Sequence, residues 1–151
     1  MRYRQIMYRK GVIGIVINKA KKFLILHRVL HWKGWEFSKG GIDKGETAEE
    51  AVVREIKEET GLDGQIVCKL PLEISYKYPT KFIESTKTKY EGAKQDVYLV
   101  GVTGKASISA EHDKCRWVSY KVARKLLKHE SQKKALDAAY QYRIKHDNNS
   151  G

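Results

Sequence analysis

Short apolar runs separated by polar turns predict the first strands of a sheet. The segments Val12–Ile17 and Phe23–Leu30 are rich in β-branched and aromatic residues, and the polar turn Asn18–Lys22 separates them. This arrangement is typical of a β-hairpin. A short strand, Trp35–Phe37, then leads into the glycine-rich loop Gly40–Gly45. The first part of the chain is therefore predicted to be β-structure that ends in this loop.

The clearest helix signal follows the loop. Thr47 and Glu50 have the spacing of a capping box, and Gly61 supplies a left-handed stop. Between them, five residues form one stripe that would face the core. These residues are Ala48, Ala51, Val52, Ile56 and Thr60. The opposite stripe carries acidic residues, so the pattern predicts an amphipathic helix with one acidic side.

Strand patterns recur in three places in the second half of the chain. They are Gln65–Tyr76, Asp96–Val102 and Arg116–Val118. Pro71 in the first of them marks a bulge or an edge strand. Residues 77–95 are polar, rich in lysine and without periodicity, which indicates a mobile loop. Two helices are predicted to begin near Ser119 and Ser131, each with a serine as its N-cap.

The order of these elements predicts an α/β protein with a mixed sheet that helices cover on both faces. A length of 151 residues with 41% apolar composition suits one domain, expected over residues 1–146, followed by a disordered tail at 147–151. Cys68 and Cys115 are expected to be reduced core residues. Neither a membrane-spanning run nor a signal-peptide region is recognisable, which favours a cytoplasmic protein with no membrane partner.

Charge is distributed unevenly along the chain. In total, 30 basic residues against 18 acidic residues give a formal net charge of +12. Residues 43–63 hold eight acidic and three basic residues, so this window carries −5 and the remainder carries +17. A basic body favours a polyanionic partner, and a compact acidic cluster favours a hard cation. Residues 112–134 are strongly basic and could follow an RNA backbone, but the lack of an RNA-binding motif favours a solvated face.

Three carboxylates share one turn of the predicted helix. Glu55, Glu58 and Glu59 have i, i+3 and i+4 spacing, which places them on one face. Like charges at this spacing destabilise a helix by about 0.2–0.5 kcal/mol per exposed pair, and a bound cation would offset that repulsion. Carboxylates without histidine or cysteine favour Mg²⁺ or Mn²⁺ over zinc. The neighbouring Arg54 would neutralise and orient a carboxylate.

The residues around this cluster match a known motif. Gly40 is followed after five residues by Glu46 and after seven more by Arg54–Leu62, which reads REIKEETGL. This fits every position of the Nudix box, Gx5Ex7REUxEExGU with U apolar, so the chain resembles the Nudix hydrolases. The resemblance implies an α/β/α sandwich with a mixed central sheet and a loop and helix that carry the box. It also implies hydrolysis of a phosphoanhydride bond with two or three Mg²⁺ ions, or Mn²⁺ in their place.

The same resemblance implies roles for individual residues. The implied metal ligands are the carbonyl of Gly40 and the carboxylates of Glu55, Glu58, Glu59 and Glu111. One of these glutamates would take the proton of the attacking water. Arg54 would hold a carboxylate in place, whereas Glu46, Thr47 and Gly61 would be structural.

Two further segments resemble one group of Nudix hydrolases. Trp35–Gly41 is similar to the WxFPKG segment of hydrolases of diadenosine polyphosphates and of RNA 5′ pyrophosphohydrolases, with Ser38 in place of proline. Glu111–Tyr120 resembles the segment of that group whose glutamate approaches the metals from an opposite loop. His31 and His112 are expected to make polar contacts. The residues predicted to bind substrate, by charge or by stacking, are Arg28, Lys39, Lys94, Tyr76, Tyr78, Tyr90 and Tyr98.

The first expectation for the substrate is diadenosine tetraphosphate, cut asymmetrically into AMP and ATP. The alternative is removal of pyrophosphate from the 5′ end of RNA, and a third is hydrolysis of modified nucleoside triphosphates. A hypothesis from another class is a non-catalytic Nudix module that binds a nucleotide or RNA. Such modules have usually lost box glutamates, which this chain retains. The sequence leaves the oligomeric state open.

Overall fold

A computed structural model describes residues 7–147 of the chain. The strands are β1 (Tyr8–Ile17), β2 (Phe23–Arg28), β3 (Gly34–Glu36), β4 (Ser38–Gly41), β5 (Asp63–Lys77), β6 (Gly92–Thr103) and β7 (His112–Val118). The helices are α1 (Ala48–Thr60), α2 (Thr80–Thr86), α3 (Tyr120–Leu126) and α4 (Glu130–Asp147). None of these helices is long and apolar enough to cross a membrane.

The strands form one mixed sheet. Its main order is β3-β2-β1-β6-β5, with β4 paired to β1 and β7 paired to β2. β1 and β6 are parallel, whereas the other pairs are antiparallel. The predicted hairpin pairs only at its turn, where Ile17 lies opposite Phe23, because β4 occupies the same edge of β1 along Gly11–Gly14. The predicted hairpin is therefore confirmed, with its pairing limited to the residues next to the turn.

A hydrophobic core lies on each face of the sheet. One core joins the sheet to α1, and the other joins it to α3 and α4. The central strand β1 contributes to both, with Val12 and Val16 in the α1 core and Ile13 and Ile15 in the other. A strand buried on both faces has a continuous apolar sequence rather than an alternating one, as Val12–Ile17 does. The expected α/β/α sandwich is confirmed.

Helix α1 begins and ends where its capping residues predict. The Thr47 side chain accepts a hydrogen bond from the Glu50 backbone N–H at 3.1 Å, and the Glu50 carboxylate accepts one from the Thr47 N–H at 3.2 Å. At the other end, Gly61 has a left-handed φ of 74° and its N–H donates to the Lys57 carbonyl. These bonds satisfy backbone groups that a helix end leaves unpaired. The capping box and the glycine stop are both confirmed.

The segment 77–95 contains more regular structure than its polar sequence predicts. β5 continues to Lys77, α2 covers Thr80–Thr86, and β6 begins at Gly92. The prediction of a loop over this whole segment is therefore wrong. Helix α2 has no buried residue, so no apolar stripe marks it in the sequence.

Two smaller differences concern the ends of elements. β7 begins at His112 rather than at residue 116, because its pairing with β2 continues that far. α4 continues to Asp147, so the first residue of the predicted tail is helical, and residues 148–151 lie outside the described range. Around Pro71 the register between β5 and β6 shifts, and β5 is the last strand in the main order of the sheet. The bulge or edge strand that the proline predicts is therefore present.

The close approach of α1 to β1 leads to a stability prediction at Gly14. A Cβ at this position would lie 2.9 Å from side-chain carbons of Val52 and Ile56. Because overpacking a core costs about 1–3 kcal/mol, we expect Gly14→Ala to lower the free energy of unfolding by that amount in urea titrations. Gly101→Ala is the matched control, since its Cβ would meet nothing closer than 3.7 Å. Equal destabilisation by both variants would contradict the prediction.

Candidate active site

The loop that carries the first half of the box is folded tightly against α1. Gly40 belongs to β4, which pairs with β1, and a Cβ on this glycine would overlap the Glu55 carboxylate. Only a residue without a side chain leaves room for that carboxylate at this distance. Gly40 therefore permits Glu55 to lie directly beside the backbone of the loop.

Arg54 is the centre of the hydrogen-bond network in the box. Its Nε and Nη2 donate to the two carboxylate oxygens of Glu46 at 2.7 and 3.0 Å, and Nη2 also donates to the Gly41 carbonyl at 2.9 Å. Its Nη1 donates to Glu55 at 2.7 Å and to Glu58 at 3.3 Å. The hydrogen bonds from Arg54 lower the pKa of Glu46. One guanidinium thus ties the loop to the helix and orients two of the candidate metal ligands.

Glu59 is the most buried of the three box carboxylates, at 5% exposure. Burial raises its pKa, and the negative charges of Glu55, Glu36 and Glu111 raise it further. Its Oε2 is buried and has no hydrogen-bond partner. A buried carboxylate with an unpaired oxygen among other acids is costly, and a divalent cation would relieve that cost. The donor set is made of hard oxygen ligands, which fits Mg²⁺ or Mn²⁺.

The candidate ligands do not form a closed cluster by themselves. Within residues 7–147, no three acidic, histidine or cysteine side chains converge into a ready-made ligand set. Arg54 holds oxygens of both Glu55 and Glu58, and the Glu58 side chain is well exposed. Because Arg54 bonds one oxygen of each carboxylate, the second oxygen of Glu55 and of Glu58 would be available to a cation.

Glu111 approaches the box from the loop before β7. Its backbone carbonyl accepts a hydrogen bond from the Val29 N–H at 3.1 Å, and its carboxylate lies 3.7 Å from Arg28 Nη1. Its charge contributes to the raised pKa of Glu59. The structure therefore brings Glu111 close to the box, although the two lie far apart in the sequence.

A fully buried carboxylate, Glu36, lies behind the site. Its Oε2 lies 3.0 Å from Nε2 of the buried His112 and 3.1 Å from Arg28 Nη1, and its Oε1 lies 3.5 Å from Lys39 Nζ. Burial alone would raise the pKa of Glu36, but His112, Lys39 and Arg28 together lower it. Sequence reasoning missed this residue because nothing in Trp35-Glu36-Phe37 indicates that the charged position faces inward. His112 makes the polar contact expected of it.

A cavity of about 570 Å³ opens beside Gly40 and Glu55. Of the predicted substrate residues, four line it: Arg28, Lys39, Tyr76 and Tyr78. Sequence reasoning missed others on its wall, notably Arg9, Trp32, Phe82, His129 and Gln132. They come from β1, from the loop before β3, from α2 and from the start of α4. Only the tertiary fold brings these distant segments together, so no local motif could have indicated them.

The cavity combines positive charge with aromatic surface. Lys39 Nζ lies 5.4 Å from the ring centre of Tyr76 and 6.0 Å from that of Trp32. Trp32 makes an edge contact with His129, and Phe82 makes one with His31. The Lys39 ammonium therefore lies beside both the buried carboxylate of Glu36 and an aromatic wall formed by Trp32 and Tyr76.

Three predicted substrate residues lie outside the cavity, and the predictions for them need correction. Lys94 and Tyr98 are on β6, whose residues 93 and 95 line the cavity, and strand alternation places 94 and 98 on the other face. Tyr98 is 2% exposed and its hydroxyl donates to Glu49. Tyr90 lies in the connection between α2 and β6 and contacts Lys89 instead.

Comparison with known proteins identifies the family. The family model for the NUDIX domain matches residues 7–139. An RNA pyrophosphohydrolase of Nitratiruptor is 36% identical over 119 residues, covering 76% of each chain. An RNA pyrophosphohydrolase of Campylobacter jejuni is 34% identical over 132 residues, covering 81% of this chain and 84% of that protein.

Solved structures agree on the fold. The Ap4A hydrolase of C. elegans superposes with a TM-score of 0.71 at 21% identity, covering 90% of this chain and 98% of its own. The MutT protein of Methanosarcina mazei superposes with a TM-score of 0.69 at 18% identity, covering 93% of this chain and 99% of its own. At these identities the likeness concerns the fold alone. Together with the complete box and the matching family model, it shows that this chain belongs to the Nudix family of hydrolases, which act on phosphoanhydride bonds.

Proposed function

We propose that this protein is an RNA 5′ pyrophosphohydrolase, which cleaves the 5′-triphosphate of RNA at a phosphoanhydride bond. The observation that carries the proposal is a cavity whose wall brings Glu55 of the box and Glu111 together with basic and aromatic residues. A 5′-terminal nucleotide offers both a polyphosphate and a base to such a cavity. The relatives named RNA pyrophosphohydrolase support this substrate over diadenosine tetraphosphate, which was the first expectation from the sequence.

Within this proposal, the box and Glu111 hold the divalent cations. Glu55, Glu58 and Glu59 supply oxygen ligands from α1, and the buried unpaired oxygen of Glu59 supports this role. Mg²⁺ bound there would neutralise phosphate oxygens and depress the pKa of a water molecule. Arg54 keeps Glu55 and Glu58 oriented, and one of the four glutamates accepts the proton of the attacking water.

The basic wall of the cavity, formed by Lys39, Arg28 and Arg9, binds the polyphosphate. Lys39 and Arg28 are both held by the buried Glu36, so their positions are set before substrate arrives. Arg9 lines the same cavity and lies directly over Gly41, where a Cβ would overlap its guanidinium. These three cations would neutralise the charge that develops on the phosphates during hydrolysis.

The aromatic wall stacks with the 5′-terminal base. Trp32 and Tyr76 both lie near Lys39, so a base on this wall would have its phosphates within reach of the ammonium. Stacking of a base on an aromatic side chain contributes about 1–3 kcal/mol. All four candidate glutamates are present, which argues against a module that only binds nucleotides.

Product analysis tests the substrate directly. Purified protein with Mg²⁺ would be incubated in parallel with 5′-triphosphorylated RNA and with diadenosine tetraphosphate, followed by chromatography of the products. We expect pyrophosphate, or phosphate released in steps, from the RNA with kcat/KM at least about tenfold higher than for the dinucleotide. AMP and ATP from the dinucleotide, with the RNA left intact, would overturn the proposal and restore the first expectation.

Glu58→Gln tests the role of the box carboxylates. Loss of a metal ligand or base is expected to lower kcat by at least about 100-fold, with far-UV circular dichroism and Tm unchanged. Glu73→Gln makes the same chemical change at an exposed position of β5, outside the cavity, and should retain activity. Turnover that survives Glu58→Gln would remove Glu58 from the proposed machinery.

Trp32→Leu tests the aromatic wall. Loss of one stacking platform is expected to raise KM for triphosphorylated RNA by about tenfold or more, with a smaller change in kcat, whereas Trp32→Phe should retain most of the affinity. Tyr90→Leu is the control, because Tyr90 lies outside the cavity. If Tyr90→Leu rather than Trp32→Leu raised KM, the assignment of the wall would be wrong.

A further inference from the structure

A second cavity lies at the far end of α3 from the catalytic one. It has a volume of about 310 Å³, and its charged lining residues are Lys21, Lys22, Lys121 and Arg143. The catalytic cavity is lined by His129, eight residues further along the chain from Lys121. Helix α3 and the short connection after it therefore cover the protein surface between the two cavities.

Three lysines occupy this segment. Lys121 and Lys125 are one helical turn apart and both are exposed, so they share one side of α3. Lys128 is also exposed and comes immediately before His129. We call Lys121, Lys125 and Lys128 the lysine strip. Its length is roughly 15 Å from the rise of the helix and the residues that follow, which corresponds to a few nucleotides.

The charges of the lysine strip are not neutralised within the protein. In the described part of the chain, no carboxylate forms an ion pair with any of its three members. Arg124, on the same helix, differs because Asp137 binds its guanidinium at 3.1 Å. No acidic residue occurs between Asp113 and Glu130. The strip thus presents three exposed lysines that have no carboxylate partner in the described part of the chain.

We propose that the lysine strip binds the sugar-phosphate backbone of RNA downstream of its 5′ end. The inference rests on the proposed function, because it extends the same substrate beyond the catalytic cavity. Lys128 is the neighbour of His129, which lines the catalytic cavity, so the strip fits a polyanion whose 5′ end is anchored in that cavity. This assigns a function to part of the basic stretch 112–134, for which the sequence favoured a solvated face.

Binding of RNA without a 5′-phosphate tests the strip independently of hydrolysis. A fluorescent single-stranded RNA of about 12 nucleotides with a 5′-hydroxyl would be titrated by anisotropy. Lys121→Ala/Lys125→Ala is expected to raise Kd at least about fivefold. It should also reduce the slope of log affinity against log salt concentration by about 1.4, which is about 0.7 for each lost phosphate contact. Lys121→Arg/Lys125→Arg keeps the charges and should bind like the unaltered protein.

A matched control removes the same charge elsewhere. Lys89→Ala/Lys105→Ala replaces two exposed lysines that line neither cavity and, within residues 7–147, form no ion pair with a carboxylate, and its Kd is expected to stay within about twofold of the unaltered protein. In hydrolysis assays, Lys121→Ala/Lys125→Ala should lower kcat/KM for the longer triphosphorylated RNA and leave that for a triphosphorylated dinucleotide unchanged.

The outcomes separate this inference from the proposed function. The assignment of the lysine strip would be overturned if the alanine variant and the unaltered protein bound the 5′-hydroxyl RNA equally. It would also be overturned if the control variant lost as much affinity for this RNA as the alanine variant. Binding that depends on the strip, without hydrolysis of any triphosphorylated RNA, would support the strip as an RNA-binding surface and refute the proposed reaction.

Discussion

Helix α1 and the sheet meet at points where the strands have no side chain, and this close approach sets the geometry around the box. A Cβ at Gly14 would crowd the core, and a Cβ at Gly40 would overlap the carboxylate of Glu55. Because the helix lies so close, Arg54 reaches from it to Glu46 in the loop. The box is therefore a packing unit as well as a set of candidate ligands, since its glycines and its ion pairs hold the carboxylates in place.

The buried acids of the site have opposite surroundings. Glu36 lies among Arg28, Lys39 and His112, which compensate the cost of burying its charge. Glu59 lies among other carboxylates and keeps one oxygen unpaired. The first carboxylate fixes Arg28 and Lys39 along the wall of the cavity, whereas burial and neighbouring carboxylates raise the pKa of the second. A structural ion network thus lies next to a site that is suited to a metal.

The cavity depends on the mixed topology of the sheet. Pairing of β2 with β3 and with β7 brings Arg28, Trp32 and Glu111 to one end of the sheet. The parallel pairing of β1 with β6 keeps residues 93 and 95 on the side of the cavity and sends Tyr98 into the core under α1. Helix α3, with the exposed Lys121 and Lys125, then continues the basic surface away from the cavity.

Local sequence was sufficient for features whose energetics are local. The bounds of α1 follow from Thr47 and Gly61, whose hydrogen bonds span only a few residues, and the box motif needs only the register of one loop and one helix. Whether a residue is buried, which face of a strand it occupies and which residues it contacts depend instead on pairing between distant segments. A shift of one residue in a strand exchanges its two faces, so the inward position of Glu36 and the outward position of Lys94 were decided by the tertiary structure alone.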